Sequence, residues 1–236
     1  MIVPVYNEEL RLAGPLEELY RLVTAAAGST ELIFVDDGSR DATAARLEDF
    51  VERCRPAPVR LLRLPENRGK GAAVRTGMLA AVGEEVLFTD LDLSTPLADL
   101  ATLREHRGAA GVAIGSRAVP GARILRSQPA YRSLGGKAVN LFVQLLAVPG
   151  IHDTQCGFKL FRREAAHEVF RRTTLDGFSF DIEALFIARR LGFTIAEVPV
   201  TWTDVAGSKV SPLKDGLRLL ADLLRIRWRA LRGRYR

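Results

Sequence analysis

The chain has 236 residues and a formal net charge of +6, and 47% of its residues are hydrophobic. This composition is ordinary for a globular protein with a sizeable core. The two cysteines, Cys54 and Cys156, fit no zinc or Cys-x-x-Cys spacing, and no apolar run reaches the roughly 18 residues of a membrane-spanning helix. We therefore expect no zinc site, signal peptide or transmembrane segment. The positive charge permits a polyanionic partner such as a nucleic acid, a membrane surface or a phosphorylated substrate.

The first half of the chain alternates predicted strands with predicted helices. The strands are expected at residues 2–5, 31–35, 59–64 and 85–89, and the helices at 15–27, 41–53 and 70–82. This alternation indicates βαβ units, and hence an α/β protein with a mostly parallel central sheet flanked by helices. Ligands of such sheets bind beyond the carboxyl ends of the strands. The polar clusters of this half all fall at such ends, which predicts a single site there.

The second half is less regular. It is expected to contain a strand at 111–115, a Gly/Pro/Arg-rich loop at 118–128, a helix at 132–147, a turn within 153–161, a helix at 179–191 and a strand at 194–202. No internal repeat or low-complexity linker divides it from the first half. We therefore predict one domain over residues 1–212, followed by a helical extension over 213–236.

Two aspartates, Asp90 and Asp92, follow the strand predicted at 85–89. Alternation places both side chains on the same side of an extended chain. Two carboxylates held this close repel each other unless a cation lies between them. Hard oxygen ligands suit Mg²⁺ or Mn²⁺, which usually also bind substrate phosphates. An isolated Asp-x-Asp also recurs in ordinary loops, so this interpretation depends on the neighbouring motifs.

The segment 67–71, with Lys70 near its end, precedes a predicted helix. Its glycines allow close backbone approach, and the helix N-terminus favours an anion such as a diphosphate. The P-loop and dinucleotide-binding glycine patterns are absent. The alternative is an ordinary loop with a solvated lysine. In the same way, Asp36 and Asp37 either hydrogen-bond a nucleobase or ribose, or are turn residues.

Two arginines of the second half are candidates for phosphate recognition. Arg117 follows the strand predicted at 111–115, and Arg132 begins a helix across a basic loop. The planar guanidinium suits bidentate binding of phosphate. The alternative is a solvated basic loop.

The segment 213–236 has the pattern of a basic amphipathic helix. Its apolar residues recur at steps of three and four, and its arginines lie largely on the other side. The apolar positions are Leu217, Leu220, Leu224, Trp228 and Leu231. Such a helix suits the surface of an anionic membrane. The alternative is an ordinary helix packed on the domain.

Motifs along essentially the whole chain resemble those of the family 2 glycosyltransferases, which have the GT-A fold. In the first half they are the segments 3–9, 35–43, 67–75 and 90–92. In the second half the segments 115–117, 153–161, 180–183 and 202–209 resemble the polyprenyl-phosphate sugar transferases. The dolichyl-phosphate β-glucosyltransferase branch is the most similar, and the mannosyl branch is a near relative.

The resemblance implies an inverting transfer of a sugar, namely glucose from UDP-glucose, to a polyprenyl or dolichyl phosphate. It implies Mg²⁺ or Mn²⁺ as cofactor, held by Asp92 together with Asp90 and Ser94. The ion stabilises the charge on the departing nucleoside diphosphate. Because the nucleophile is an anionic phosphate oxygen, no strong general base is required.

The resemblance also assigns the remaining site residues. Arg117 and Arg132 are implied to hold the acceptor phosphate, and Asp153 either touches a sugar hydroxyl or caps a loop. The residues implied to contact the nucleotide-sugar donor are Pro4, Tyr6, Glu8, Asp37, Lys70, Asp90 and Lys209.

Other functions are kept as alternatives. One is a GDP-mannose-dependent polyprenyl-phosphate mannosyltransferase, and another is a family 2 transferase with a soluble acceptor. A third is a non-catalytic module that binds a nucleotide sugar or a nucleic acid. No nucleic-acid partner is expected, because no recognised motif with interleaved aromatic residues is present. We expect a cytoplasmic protein associated peripherally with the inner face of the membrane; its oligomeric state is left open.

Overall fold

The computed structural model of the protein describes residues 1–26, 28–126, 140–205 and 212–236. Seven of its strands form one sheet in the order β3-β2-β1-β4-β7-β5-β8. These strands are β1 (Ile2–Val5), β2 (Leu32–Asp36), β3 (Val59–Arg63), β4 (Glu85–Thr89), β5 (Val112–Ser116), β7 (Phe158–Arg162) and β8 (Ile195–Pro199). A second sheet pairs β6 (Arg123–Arg126) with β9 (Thr201–Thr203). The predicted mostly parallel sheet is confirmed, and among the seven described strands of this sheet only β7 runs antiparallel to its neighbours, β4 and β5.

The helices flank the large sheet. They are α1 (Ala13–Ala25), α2 (Thr43–Arg53), α3 (Lys70–Ala80), α4 (Asp99–Arg107), α5 (helical residues 140–146), α6 (Arg163–Phe170), α7 (Phe180–Arg190) and α8 (Pro212–Leu231). The strands and helices predicted for the first half are present, with shifts of a few residues at their ends. Of the helix predicted at 132–147, residues 132–139 lie outside the described part of the chain.

Alternating strand residues build two hydrophobic cores on opposite faces of the sheet. Ile2 and Ile33 belong to the core that also contains residues of α3, α6, α7 and α8. Their neighbours Val3 and Phe34 belong to the core that contains residues of α1, α2 and α4. Because successive side chains of a strand point to opposite faces, a sheet covered on both sides requires such nearly continuous apolar strands.

The sequence analysis was wrong about parts of the second half. The predicted turn at 153–161 leads into β7, a central strand with four buried residues. The strand was missed because it contains a charged residue, Lys159. The charge of Lys159 is compensated by Asp181, which is distant in the sequence. The predicted strand 194–202 is divided at Val200, whose N–H donates to Ser116 and whose carbonyl accepts from Arg123, so that β8 and β9 join different sheets.

The C-terminal helix α8 packs on the same core as α7. Its buried face consists of Leu219, Leu223, Ile226 and Ala230. Beyond the helix, the Tyr235 hydroxyl donates a 2.6 Å hydrogen bond to the buried carboxylate of Glu183 on α7. The apolar side chains of Leu224, Trp228 and Leu231, which the sequence analysis assigned to one stripe, are exposed. The helix therefore has two apolar faces, one packed on the core and one facing outward.

Candidate active site

The polar clusters predicted to share one site lie at one edge of the sheet. This edge is formed by the carboxyl ends of the parallel strands β1, β2, β4 and β5. Because β7 is antiparallel, the segment that precedes it, residues 153–157, reaches the same edge. The Asp90 N–H after β4 donates to the Gly157 carbonyl, at 3.1 Å. The antiparallel strand therefore brings second-half residues against the aspartate pair.

The two aspartates each have a cationic neighbour. Asp90 Oδ1 lies 2.6 Å from Lys70 Nζ, and Asp92 Oδ2 lies 3.8 Å from a guanidinium nitrogen of Arg11. Asp92 Oδ1 accepts hydrogen bonds from the backbone N–H and the hydroxyl of Ser94, at 3.0 and 2.7 Å. A tight turn connects these residues, with Leu93 in the left-handed region at φ 47°. The turn explains why Asp92 and Ser94 approach each other.

The oxygen donors of this turn fit a hard divalent cation. The side chains of Asp90 and Asp92 are 34% and 26% exposed, so an ion can reach both carboxylates from solvent. No three His, Cys, Asp or Glu side chains form a ready cluster in the parts of the chain that the structure describes. Two carboxylates with one hydroxyl match Mg²⁺ or Mn²⁺, which usually complete their coordination with water and substrate phosphates.

Lys70 is the first residue of α3 and follows Gly69, whose φ of 112° is unfavourable for any other residue type. Burial alone would lower the pKa of the Lys70 ammonium, but the carboxylates of Asp90 and Asp181 raise it above its usual value. Lys70 therefore carries a positive charge at neutral pH, beside the helix N-terminus where an anion is favoured.

Asp37 organises the loop before α3. Its carboxylate accepts hydrogen bonds from the backbone N–H groups of Arg68 and Gly69, at 2.9 and 2.8 Å, and from the amide of Asn67, at 2.8 Å. Burial raises the pKa of Asp37, and the two backbone donors offset part of this rise. Asp37 is only 3% exposed, so its contacts in the structure are with this loop.

The predicted donor residues of β1 lie beside the same loop region. Pro4 pairs in register with Val35 of β2. After the strand, the Glu8 N–H donates to the Thr43 hydroxyl at 2.8 Å, which ties the chain after β1 to the start of α2. Tyr6 lies between them and is partly exposed at this edge. The structure thus places Pro4, Tyr6 and Glu8 near the carboxyl ends of β1 and β2.

Arg117 and Asp153 form a bidentate ion pair at the end of β5. The guanidinium donates to both carboxylate oxygens, at 2.7 and 2.9 Å, and the Arg117 backbone N–H adds a third bond at 2.9 Å. The Arg117 Cζ lies 5.2 Å from the ring centroid of Trp202. Burial would raise the pKa of Asp153, but the hydrogen bonds and charge of Arg117 lower it below its usual value. Both oxygens of Asp153 are thus engaged in orienting Arg117.

Two buried charges at this edge were missed as site residues. Lys159 Nζ lies 2.6 Å from Asp181 Oδ1 and donates to the Cys156 carbonyl at 2.5 Å. Lys159 and Lys70 lie 5.8 and 5.2 Å from the centroid of the Phe88 ring. Two features of the sequence could have identified these residues. Lysine is scarce in this arginine-rich chain, and Asp181 lies in the motif 180–183.

Asp176 was also missed. Its backbone carbonyl accepts the Gly71 N–H, at 2.7 Å, and its carboxylate pairs with Arg68 and Arg75, at 3.1 and 2.5 Å. The loop before α7 therefore supports the loop before α3. Two predicted site residues, Arg132 and Lys209, lie outside the described residues.

Comparisons with known proteins show the family to which the chain belongs. Residues 1–170 match the family described as Glycosyl transferase family 2. A dolichyl-phosphate beta-glucosyltransferase of Dictyostelium discoideum is 36% identical, over 99% of this chain and 75% of its own length. The human dolichyl-phosphate beta-glucosyltransferase is 37% identical, over 100% of this chain and 76% of its own length.

A solved structure has the same fold. It is glucosyl-3-phosphoglycerate synthase from Mycobacterium tuberculosis in complex with Mn²⁺, UDP-glucose and phosphoglyceric acid. The TM-score is 0.60 at 20% identity, and the alignment covers 95% of this chain and 78% of the other.

Proposed function

Because the chain belongs to glycosyl transferase family 2, we propose that it transfers glucose from UDP-glucose to a dolichyl or polyprenyl phosphate, with inversion at the anomeric carbon. The observation that carries this proposal is the meeting of three groups at one sheet edge. They are the acidic pair Asp90 and Asp92, the ammonium of Lys70 at the start of α3, and the guanidinium of Arg117, which Asp153 orients. Similarity to enzymes named dolichyl-phosphate beta-glucosyltransferase, over 99–100% of this chain and 75–76% of their own length, supports the choice of sugar and acceptor.

The donor diphosphate is proposed to bind between the α3 N-terminus and the turn 90–94. Asp90, Asp92 and Ser94 would hold Mg²⁺ or Mn²⁺, which neutralises charge on the departing diphosphate when it is bound. The complex of a similarly folded enzyme with Mn²⁺ and UDP-glucose supports this cofactor.

The protein itself also stabilises the donor. Lys70 supplies a fixed positive charge from a partly buried position, and Asp37 keeps the backbone of the loop 67–69 in place. Pro4, Tyr6 and Glu8 are proposed to contact the nucleoside at the ends of β1 and β2. Lys209 is proposed to reach the phosphates.

Arg117 is proposed to hold the acceptor phosphate in line with the anomeric carbon. Asp153 occupies one edge of the guanidinium, and the ring of Trp202 lies beside it, so the remaining N–H groups have a defined direction. The anionic phosphate oxygen attacks the anomeric carbon, and UDP leaves from the opposite face of the sugar. An α-linked donor therefore gives a β-linked product. Positioning of this kind can supply much of a rate enhancement. Arg132 is proposed as the second acceptor arginine.

The outward face of α8 is proposed to lie on the membrane surface that carries the lipid acceptor. Leu224, Trp228 and Leu231 are 64%, 54% and 85% exposed, and Arg225 and Arg232 are exposed beside them. An apolar stripe bordered by arginines favours an anionic lipid interface. Within the described ranges, no helix is long and apolar enough to span a bilayer. We propose peripheral association with the inner, cytoplasmic face.

The transfer is tested with purified protein, Mn²⁺ and labelled UDP-glucose, by following label into the organic phase with dolichyl phosphate as acceptor. Label is expected to enter with wild-type protein, to be lost in Asp92→Asn, and to be retained in Asp49→Asn, an exposed position on α2. If label enters the organic phase only from GDP-mannose, the transferred sugar is mannose and not glucose. Label found only on a water-soluble acceptor such as 3-phosphoglycerate would refute the lipid acceptor.

The membrane contact is tested by flotation with vesicles that contain phosphatidylserine. Burying an apolar side chain contributes about 1.5–3 kcal/mol, so Trp228→Ser should weaken the partition coefficient by roughly tenfold or more. Val82→Ser, at a 67% exposed apolar residue outside α8, is the matched control. Equal binding by both variants would refute the proposed surface.

A further inference from the structure

We propose that Lys70 and the divalent cation compete for Asp90, and that the donor diphosphate relieves this competition by giving Lys70 a new partner. Metal and nucleotide would then bind as a strongly coupled pair. The inference rests on the proposed function, since it takes Asp90 as a metal ligand and the diphosphate as the donor's anion.

The two oxygens of Asp90 are not equivalent. Asp90 Oδ2 lies against Gly157, so close that a Cβ at this glycine would be 2.0 Å from the oxygen. Asp90 Oδ1 forms an ion pair with the Lys70 ammonium at 2.6 Å. An ion that approaches Asp90 therefore meets one oxygen that is already bound to a cation and another that lies close to the Gly157 backbone.

Besides Asp90, the carboxylates in the described part of the chain that raise the pKa of Lys70 are those of Asp181 and Asp92. Asp181 is already paired with the buried Lys159 at 2.6 Å, and Asp92 is itself a proposed ligand of the ion. The Phe88 ring lies 5.2 Å below the Lys70 ammonium and offers no hydrogen-bond acceptor. When an ion displaces Lys70 from Asp90, the ammonium loses its anionic partner in a partly buried place, which costs free energy.

The charges around the turn 90–94 also favour coupled binding of metal and nucleotide. A divalent ion at Asp90 and Asp92 would also lie close to Arg11, whose guanidinium is 3.8 Å from Asp92. Lys70 and Arg11 thus oppose an added ion, although the Glu8 carboxylate, 3.3 Å from Arg11, offsets part of the Arg11 charge. A diphosphate adds the missing negative charge at the helix N-terminus beside Lys70. By thermodynamic linkage, the nucleotide raises the affinity for the metal by the same factor as the metal raises the affinity for the nucleotide.

The test measures Mn²⁺ binding by electron paramagnetic resonance, with and without UDP, for wild-type protein and for Lys70→Met. Wild-type protein should bind Mn²⁺ weakly alone and much more tightly with UDP. Lys70→Met should bind Mn²⁺ alone about fivefold or more tighter than wild type, and UDP should then add less, because coupling of this kind is typically about 5–150-fold. Lys70→Gln, should the methionine variant not fold, is expected to act in the same direction.

Two controls separate exchange from a general loss of positive charge. Arg11→Met removes a charge near the ion that is not in hydrogen-bonding contact with Asp90, and Arg21→Met removes one on an exposed part of α1. Both should change the coupling less than Lys70→Met.

Unchanged coupling in Lys70→Met, or an equal change in Arg11→Met, would overturn the exchange while leaving the proposed function intact. Failure of the wild-type protein to bind Mn²⁺ in the presence of UDP would refute the proposed metal site, and the exchange with it.

Discussion

Replacing Gly157 by alanine is expected to damage the metal and donor site while leaving the fold intact. Gly157 precedes β7 and touches the Asp90 side chain. An added Cβ would lie 2.0 Å from Asp90 Oδ2 and 2.5 Å from its Cγ, whereas contacts under 3.0 Å essentially do not occur. The carboxylate must therefore retreat by about 1 Å from its place beside Lys70.

The expected magnitude follows from this displacement. A misplacement of about 1 Å in a reacting site can cost about 100-fold in rate, which corresponds to about 2.7 kcal/mol of transition-state free energy. The free energy of unfolding should change by less than about 1 kcal/mol, because the clashing atoms are the end of a side chain and alanine restricts the unfolded chain. Gly157 is not among the glycines with positive φ, so alanine introduces no backbone strain.

The assay compares kcat/KM for glucosyl transfer with Mn²⁺ affinity and the urea midpoint. Gly157→Ala should lose about 100-fold in kcat/KM and bind Mn²⁺ more weakly in the presence of UDP. The control is Gly14→Ala in α1, where an added Cβ meets no atom within 4 Å and activity should be unchanged. A Gly157→Ala protein with kcat/KM within threefold of wild type would refute the reasoning about Asp90.

Three further substitutions or treatments test other parts of the structure. Tyr235→Phe removes the 2.6 Å hydrogen bond to the buried Glu183 and should lower the free energy of unfolding by about 1.5–3 kcal/mol in urea titrations; an unchanged midpoint would contradict this. Asp153 has a lowered pKa through Arg117, so its contribution to stability is present above the ordinary value of 3.8 and is lost as pH falls through the folded-state pKa. Asp153→Asn should therefore be less stable than wild type at pH 7, with a difference that narrows in titrations below pH 3.8; a difference independent of pH would argue against the pair. Burial raises the pKa of the Cys156 thiol to about 11, so native protein at pH 8 should resist iodoacetamide in a mass-spectrometric time course, and labelling as fast as in urea would refute this.

Local patterns were sufficient to predict the first half of the fold and the meeting of its polar clusters at one edge of the sheet. The strands β1 to β4 and the helices α1 to α3 follow from apolar runs and helical periodicity, and parallel βαβ units direct their polar ends to one edge. The GT-A fold and the family were predicted from motifs and are confirmed by the comparisons. The roles of the individual site residues remain predictions.

Local patterns were insufficient where long-range contacts decide. A strand containing Lys159 does not look central until Asp181, 22 positions further along, compensates its charge in the core. Similarly, α8 shows two apolar faces, and only packing decides that Leu223 and Ile226 turn inward while Trp228 remains exposed.

The residue types alone define the chemical groups available at the strand ends, because carboxylates, lysine and arginine have the same donor and acceptor properties wherever they lie in the fold. Which of these groups come into contact depends on the packing of distant segments. The antiparallel insertion of β7 between β4 and β5 brings Gly157 against Asp90, and Asp153 against Arg117. These contacts join residues more than 30 positions apart. The pairing of distant strands depends on burial of both faces of the whole sheet, which no local period of the sequence encodes.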